Sequence, residues 1–186
     1  TASDHGHPSA RTEDLPQPEA EALYGKARNG SCTPEEADLF RGHMLTEMAR
    51  MSIDDGLVLQ IHAGSIRNHN AQVMQEFGRD KGYDIPARTD YVKALRPLLN
   101  AVGGRSDIRV IAFTLDESSY ARELAPLAGV YPALRLGPPW WFHDVARRVD
   151  CAYLAELVAT GRLGRSDAGD VAHDLSYRLA KQAYGL

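Results

Sequence analysis

The chain has 186 residues, of which 44% are hydrophobic and 25% are charged, with a formal net charge of −4 and a pI near 5.9. This size allows one sizeable core, and the slight acidity gives no electrostatic basis for binding nucleic acid or an anionic membrane. The apolar stretches are far shorter than the ~20 residues needed to cross a bilayer, and no secretory signal is visible. Cys32 and Cys151 match no metal-binding spacing, which favours a reduced, cytoplasmic protein.

The first predicted elements are two helices. Residues 18–28 have helical character, and Asn29 and Gly30 follow as an end signal. In the next segment Thr33 is an N-cap, Pro34 occupies the first helical position and Glu36 completes a capping box. Apolar residues then recur at helical spacing and predict a buried stripe, which consists of Ala37, Phe40, Met44, Met48 and Met51.

Further along the chain, strands alternate with helices. Residues 57–61 are mostly apolar, which is typical of a strand buried on both faces. Residues 89–104 predict a helix capped by Thr89, in which Pro97 either bends the helix or marks a first turn. The remaining predicted elements are strands at 108–115 and 131–137, a helix at 118–129, and closing helices at 145–160 and 166–184. This order predicts an α/β fold with a parallel sheet or barrel.

Polar side chains follow two of the predicted strands, at the edge where parallel α/β folds gather functional groups. The opening segment supplies Asp4 and His5, and the strand at 57–61 is followed by His62, Gly64 and Arg67. A lone histidine after an apolar run is more often a satisfied core residue. However, the glycine allows close approach, and the arginine provides a fork for a carboxylate or phosphate. We therefore expect a polar site at this edge.

Other polar or aromatic groups have simpler explanations. Asp116 and Glu117 are expected to form a turn that caps the following helix, and His43 is expected to be structural. Trp140 and Trp141 follow two prolines and fit either core packing or a rigid aromatic wall suited to a sugar. The seven histidines have no spacing that predicts a complete metal site.

Five segments resemble, in this order, the C-terminal half of the uronate isomerase (glucuronate isomerase) family of the amidohydrolase superfamily: TASDHG, LQIHAGSIRNHN, GYDIP, PWWFHD and VAHDLSYRLAKQAYG. The resemblance implies an α/β fold that is the C-terminal portion of a distorted (β/α)8 TIM-type barrel, with residues 1–186 as part of a single barrel domain. It also implies aldose–ketose isomerisation of D-glucuronate to D-fructuronate, and of D-galacturonate to D-tagaturonate, by enediol proton transfer.

The same resemblance implies roles for individual residues. His5 and His62 match strand-end histidines of the family's site and are the catalytic candidates. Arg67 would grip the sugar carboxylate or orient its loop, and Asp4 would orient His5. The substrate-binding candidates are Arg67, Trp140, Trp141 and Asp4.

Two motifs of the family are absent from this chain: the first-strand His-x-His, which binds metal, and the last-strand Asp-x-Arg. The metal ligands are therefore unassigned, and the resemblance implies a divalent metal, zinc by expectation, only in the full-length enzyme. The strand and helix around WWFHDVARR follow each other without a crossover, which predicts a missing segment and a backbone break near residues 141–145. We expect this chain alone to be inactive, and to associate with the missing N-terminal half or as a homo-oligomer.

Two other functions fit the same residues. A hydrolase of the superfamily would use metal-bound hydroxide and be inhibited by chelators. A non-catalytic assembly subunit would have an open sheet edge and exposed apolar helix faces covered by a partner. Only the isomerase would exchange solvent hydrogen into the sugar.

Overall fold

A computed structural model describes residues 2–137 and 143–185, which fall into two compact units divided between these two ranges. The strands of the larger unit are β1 (Ala2–His5), β2 (Val58–His62), β3 (Ser65–Ile66), β4 (Ile85–Pro86), β5 (Arg109–Phe113) and β6 (Leu134–Leu136). Its helices are α1 (Gln17–Arg28), α2 (Pro34–Asp55), α3 (Ala71–Phe77), α4 (Tyr91–Ala94), α5 (Arg96–Val102), α6 (Glu117–Ser119), a π-helical segment (Tyr120–Leu124) and α7 (Ala125–Val130).

Four parallel strands form the main sheet of the larger unit, in the order β1-β2-β5-β6. The register places Asp4 opposite Gln60 and His62 opposite Phe113. Strands β3 and β4 form a separate antiparallel pair that follows β2. The predicted parallel sheet with alternating helices is therefore confirmed, whereas the sequence did not predict the β3–β4 pair or α3.

The core of the larger unit joins the two central strands to α2 and α5. Its fully buried side chains are mostly leucines and valines, and the largest are Tyr91, Leu45, Leu59, Ile61, Leu95, Leu98, Leu99, Val102, Val110, Leu124 and Leu134. Because β2 and β5 are buried along most of their length, they lack the apolar–polar alternation of a half-exposed sheet. This burial holds the carboxyl ends of the strands in one fixed place.

Helix α2 begins as the sequence predicts but buries a different face. The Thr33 hydroxyl accepts the Glu36 N–H at 3.2 Å, and a Glu36 carboxylate oxygen accepts the Thr33 N–H at 3.0 Å, which completes the capping box. The predicted buried stripe is wrong at Met51, which is 56% exposed, whereas its other members are half-buried and Met48 packs against the core. The buried positions are Gly42, His43, Leu45, Thr46, Ala49 and Ser52.

Helix α2 buries this face because a small residue on it lets a neighbouring segment approach the helix closely. A Cβ at Gly42 would lie only 3.1 Å from the Arg11 carbonyl oxygen, so the preceding segment packs directly on the helix backbone.

The predicted single helix over 89–104 is two helices, α4 and α5. The cap is Asp90, whose carboxylate accepts the Lys93 N–H at 3.1 Å, whereas Thr89 donates its hydroxyl to the Ala87 carbonyl at 3.1 Å. Pro97 lies in the first turn of α5, where a missing backbone donor costs little. Of the two predicted roles for this proline, the first-turn role is confirmed.

The smaller unit consists of α8 (His143–Ala159), α9 (Arg165–His173), a π-helical segment (Asp174–Arg178) and α10 (Leu179–Tyr184). These elements match the two predicted closing helices. Residues 143–145 belong to α8, and the rest of the predicted break, at 141–142, lies outside the described residues. None of the helices in the described ranges has the length and apolar character that a bilayer crossing requires.

Candidate functional site

The carboxyl ends of β1 and β2 bring two predicted site residues together. Because the strands are parallel, with His5 opposite Ile61, His62 lies one position beyond the end of β1. Its Nε2 atom is 3.2 Å from an Asp4 carboxylate oxygen. Only 10% of the His62 side chain is exposed, so this carboxylate contacts an imidazole that water barely reaches.

The surroundings of His62 favour its neutral form. Burial lowers the pKa of His62, and the nearby Arg67 charge lowers it further, whereas Asp4 acts in the opposite direction. The ring also packs edge-on against Phe113, with ring centroids 4.5 Å apart. A neutral imidazole held in this way can accept a proton or a hydrogen bond near neutral pH.

Two further histidines lie at the end of β1, of which His5 is the last strand residue and His7 follows two positions later. His5 and His7 pack edge to face, with centroids 5.9 Å apart, and burial lowers the pKa of both. In the part of the chain that the structure describes, His5 Nε2 and His7 Nδ1 are buried without a hydrogen-bond partner. That Asp4 orients His5 stays a prediction, because the close contact of this carboxylate is with His62.

Gly64 makes the turn by which the chain leaves β2. It has a φ of +87°, in the left-handed region that favours glycine, and a Cβ there would lie 2.6 Å from the Tyr91 hydroxyl oxygen. The Tyr91 hydroxyl donates to the Ala63 carbonyl at 2.8 Å.

Arg67 follows β3 and lies over the loop after β1. A Cβ at Gly6 would be 2.9 Å from Arg67 Nη2, so the guanidinium lies directly against this glycine. Arg67 Nη1 is 3.9 Å from carboxylate oxygens of both Asp80 and Asp84, which is beyond hydrogen-bonding distance. The guanidinium therefore faces carboxylates without being hydrogen-bonded to them.

The sequence did not single out Gly6 or Asp84 for this site. Asp84 lies in the GYDIP segment, which supports the family resemblance but has no chemical signal of its own. Trp140 and Trp141, the predicted aromatic wall, lie outside the described residues. Asp116 caps α6 as predicted, with its carboxylate accepting the Ser118 N–H at 2.9 Å.

The residues at the strand ends do not form a complete metal site. Imidazole nitrogens suit a zinc ion, and His5 Nε2 could supply one ligand. In the described residues, the cluster with metal-ligating geometry lies elsewhere, at Asp14, His43 and Glu47.

Each side chain of that cluster already pairs with another group of the protein. Both Asp14 oxygens accept from Arg50 Nη2 at 2.8 Å, and Glu47 also pairs with Arg50. His43 Nδ1 accepts the Leu15 N–H at 3.2 Å, as expected of a structural histidine. Arg50 is the cation that pairs with both carboxylates of this cluster, so the cluster does not fit a metal ion.

Comparisons with known proteins show which family the chain resembles. The sequence model of a family described as glucuronate isomerase matches residues 1–147. Uronate isomerases of Rhizorhabdus wittichii and Rhizobium meliloti are each 54% identical over 225 residues, a match that covers 100% of this chain and 48% of each relative. The chain thus spans about half the length of the curated relatives it matches.

Solved structures give the same result. A glucuronate isomerase of Caulobacter crescentus superposes with a TM-score of 0.91 at 49% identity, covering 100% of this chain and 47% of that protein. A uronate isomerase of Thermotoga maritima, at 21% identity, superposes with a TM-score of 0.86 over 99% of this chain and 49% of that protein, which shows the shared fold. The predicted fold class, an α/β fold corresponding to part of the uronate isomerase barrel, is confirmed. Since the family model covers most of its length, the chain belongs to the glucuronate isomerase family.

Proposed function

We propose that this chain is the C-terminal part of a uronate isomerase that converts D-glucuronate to D-fructuronate, and D-galacturonate to D-tagaturonate. The observation that carries the proposal is the grouping of a histidine whose pKa is lowered by burial, a carboxylate beside it and an accessible arginine at the ends of adjacent parallel strands. His62 Nε2 is 3.2 Å from Asp4, and Arg67 lies against Gly6, next to His5.

The reaction moves hydrogen within the open-chain sugar. A base removes the proton from C2, an enediol forms, and a proton is added at C1, so that C2 becomes a ketone while the C1 aldehyde becomes an alcohol. Such a reaction needs a positioned base, a group that stabilises the growing oxyanion and a clamp for the distal carboxylate.

We assign roles in this reaction to individual residues of this chain. Arg67 binds the sugar carboxylate through its planar fork. His62, neutral because it is buried, forms a hydrogen bond to the substrate or shuttles a proton, and Asp4 holds its ring. His5 is the second catalytic candidate, and Trp140 and Trp141 are proposed to face the sugar ring.

The remaining catalytic groups would come from outside this chain. In the complete enzyme a divalent metal, with zinc as the expected ion, would polarise substrate oxygens, and its ligands would come from the family motifs that are absent here. We therefore propose that this chain alone is inactive and functions with the other half of a cytoplasmic enzyme, which is expected to be a homo-oligomer.

We also propose a missing segment near residues 141–145. The matched region of the relatives has 225 residues and this chain has 186, a difference of 39. This difference supports a lost segment, and the junction at WWFHDVARR is where a strand and a helix follow each other without a crossover.

The test is an assay of the full-length protein with D-glucuronate in deuterated water. We expect ketose to form with deuterium incorporated at C1, because the proton that leaves C2 exchanges with solvent before one returns. We expect Arg67→Met to raise KM by about tenfold or more, and His62→Asn to lower kcat by about 100-fold, since a positioned acid–base group contributes about 10²–10⁴.

Each competing function gives a different result. Hydrolysis of an ester or amide without isomerisation would identify a hydrolase of the same superfamily, and no turnover of either kind would favour an assembly subunit. Full turnover by both variants would refute the assignment of these residues.

A further inference from the structure

The position of Arg67 depends on how the loop around it is held. Its guanidinium lies over Gly6, and a side chain there would collide with it, since a Cβ would be 2.9 Å from Nη2 and 3.6 Å from Cζ. Nothing in this contact is a hydrogen bond. Another group must therefore keep the long, flexible arginine side chain in place.

Two carboxylates face the same Arg67 nitrogen from different environments. Asp80 and Asp84 each place an oxygen 3.9 Å from Nη1. The Asp80 side chain is 71% exposed, whereas the Asp84 side chain is only 15% exposed. Because water and salt screen exposed charges much more than shielded ones, Asp84 acts on the guanidinium more strongly than Asp80 does.

Asp84 is also bonded to the backbone of the arginine loop. Its other carboxylate oxygen accepts the Asn68 N–H at 3.0 Å. Asn68 has a left-handed φ of +54°, and its side-chain oxygen accepts the Asp80 N–H at 3.0 Å. One carboxylate thus accepts a hydrogen bond from the residue after Arg67 and also lies 3.9 Å from the guanidinium.

We propose that Asp84 is a positioning residue that holds the Arg67 guanidinium against Gly6, at the end of β1, so that its outer face receives the carboxylate of the sugar acid. The inference rests on the proposed function, since it specifies how that site binds one end of the substrate. Asp84 does not itself contact the substrate. It restricts the Arg67 side chain before the substrate binds, so that less conformational entropy is lost on binding.

The experiment compares Asp84→Asn with Asp80→Asn in the full-length enzyme. Asparagine keeps an oxygen that accepts the Asn68 N–H and removes only the charge. We expect Asp84→Asn to raise KM for D-glucuronate by about tenfold with kcat changed less than about threefold, because substrate binding is weakened and the chemical step is not. Asp80→Asn, at the same distance but exposed, is expected to change KM by less than about twofold.

Gly6→Ala tests the same arrangement by changing the residue against which the Arg67 guanidinium lies. The φ of Gly6 lies outside the left-handed region, so alanine fits the backbone, and the added methyl group displaces the end of the arginine side chain. We expect a rise in KM similar to that of Asp84→Asn. In an Arg67→Met background neither substitution should change KM further, since both act through the guanidinium.

The outcomes separate this proposal from the function on which it rests. If the unaltered enzyme does not isomerise uronates, the proposed function fails. If it does, but Asp84→Asn leaves KM unchanged, lowers it by removing repulsion toward the substrate, or acts equally in the Arg67→Met background, the positioning role is refuted. Should Asp84→Asn fail to fold, Asp84→Ser removes the charge, retains a hydroxyl acceptor and carries the same expectation.

Discussion

His62 is buried between one carboxylate, Asp4, and one cation, Arg67, which act on its protonation in opposite directions. Burial is the largest influence and lowers the pKa of His62, and burial also lowers the pKa of His5 and His7. Three imidazoles at one end of the sheet therefore favour the neutral form in the folded protein. In the unfolded chain each would titrate near its ordinary pKa of about 6.5.

This difference makes stability depend on pH. Above pH ~6.5 the histidines are neutral in both states, and as pH falls below it the unfolded chain binds protons first, so the free energy of unfolding decreases. We expect the urea midpoint to fall between pH 7.5 and 5.5, and His62→Asn to reduce that fall by about one third if the three residues contribute equally. The exposed His69→Asn is the control, and an equal effect of both variants would contradict this explanation.

At the scale of elements, a buried threonine joins α4 and α5 where the predicted single helix divides. The Thr12 hydroxyl donates to the Ala94 carbonyl at 2.6 Å and accepts the Leu98 N–H at 3.2 Å. The Thr12 N–H donates to the same carbonyl at 2.9 Å. A side chain 86 positions away in sequence thus satisfies backbone groups that the break at Leu95 and Pro97 leaves without helical partners.

The substitution Thr12→Val tests this arrangement. It leaves the Leu98 N–H without its acceptor in a buried position, so we expect a loss of about 1–3 kcal/mol in the free energy of unfolding. Thr46→Val is a matched control, because Thr46 is also fully buried but its hydroxyl has no hydrogen-bond partner among the described residues. Urea unfolding should show Thr46→Val as neutral or stabilising, and equal losses for the two variants would refute the bonding argument.

At the scale of the whole molecule, the core of the larger unit depends on the central strands and the helices packed on them. Leu59 on β2 is fully buried within the cluster that includes Leu45, Leu95 and Leu99. Among the described residues, β1 and β6 are the outer strands of the sheet. Open edges of parallel sheets are uncommon in complete domains, which supports the proposal that another part of the enzyme pairs with them.

We expect Leu59→Ala to lower the free energy of unfolding by about 2–5 kcal/mol, because it removes buried methyl groups and leaves a cavity. Val92→Ala, at a position that is 46% exposed on α4, is expected to change it by less than about 0.5 kcal/mol. Chemical unfolding followed by circular dichroism measures both. A loss below about 1 kcal/mol for Leu59→Ala would show that the core repacks around the change.

Sequence signals were reliable for features that depend on residues close together in the chain. The capping box at Thr33, the cap at Asp116 and the ends of most helices were predictable because they depend on residues three or four positions apart. The buried face of α2 was not predictable in this way, since it depends on where the Arg11–Thr12 backbone packs against the helix. The β3–β4 pair was also missed, because two-residue strands have no periodicity to detect.

The sequence by itself determined the α/β alternation, the family, and the polar groups at the strand ends, because each follows from residue type and order. Only the tertiary structure decided which groups meet. Parallel register places His62 beside Asp4, and the turn at Gly64 brings Arg67 over Gly6 and toward Asp84. The physical reason is that these contacts join residues from separate segments, and only packing of the strands sets the distances between them.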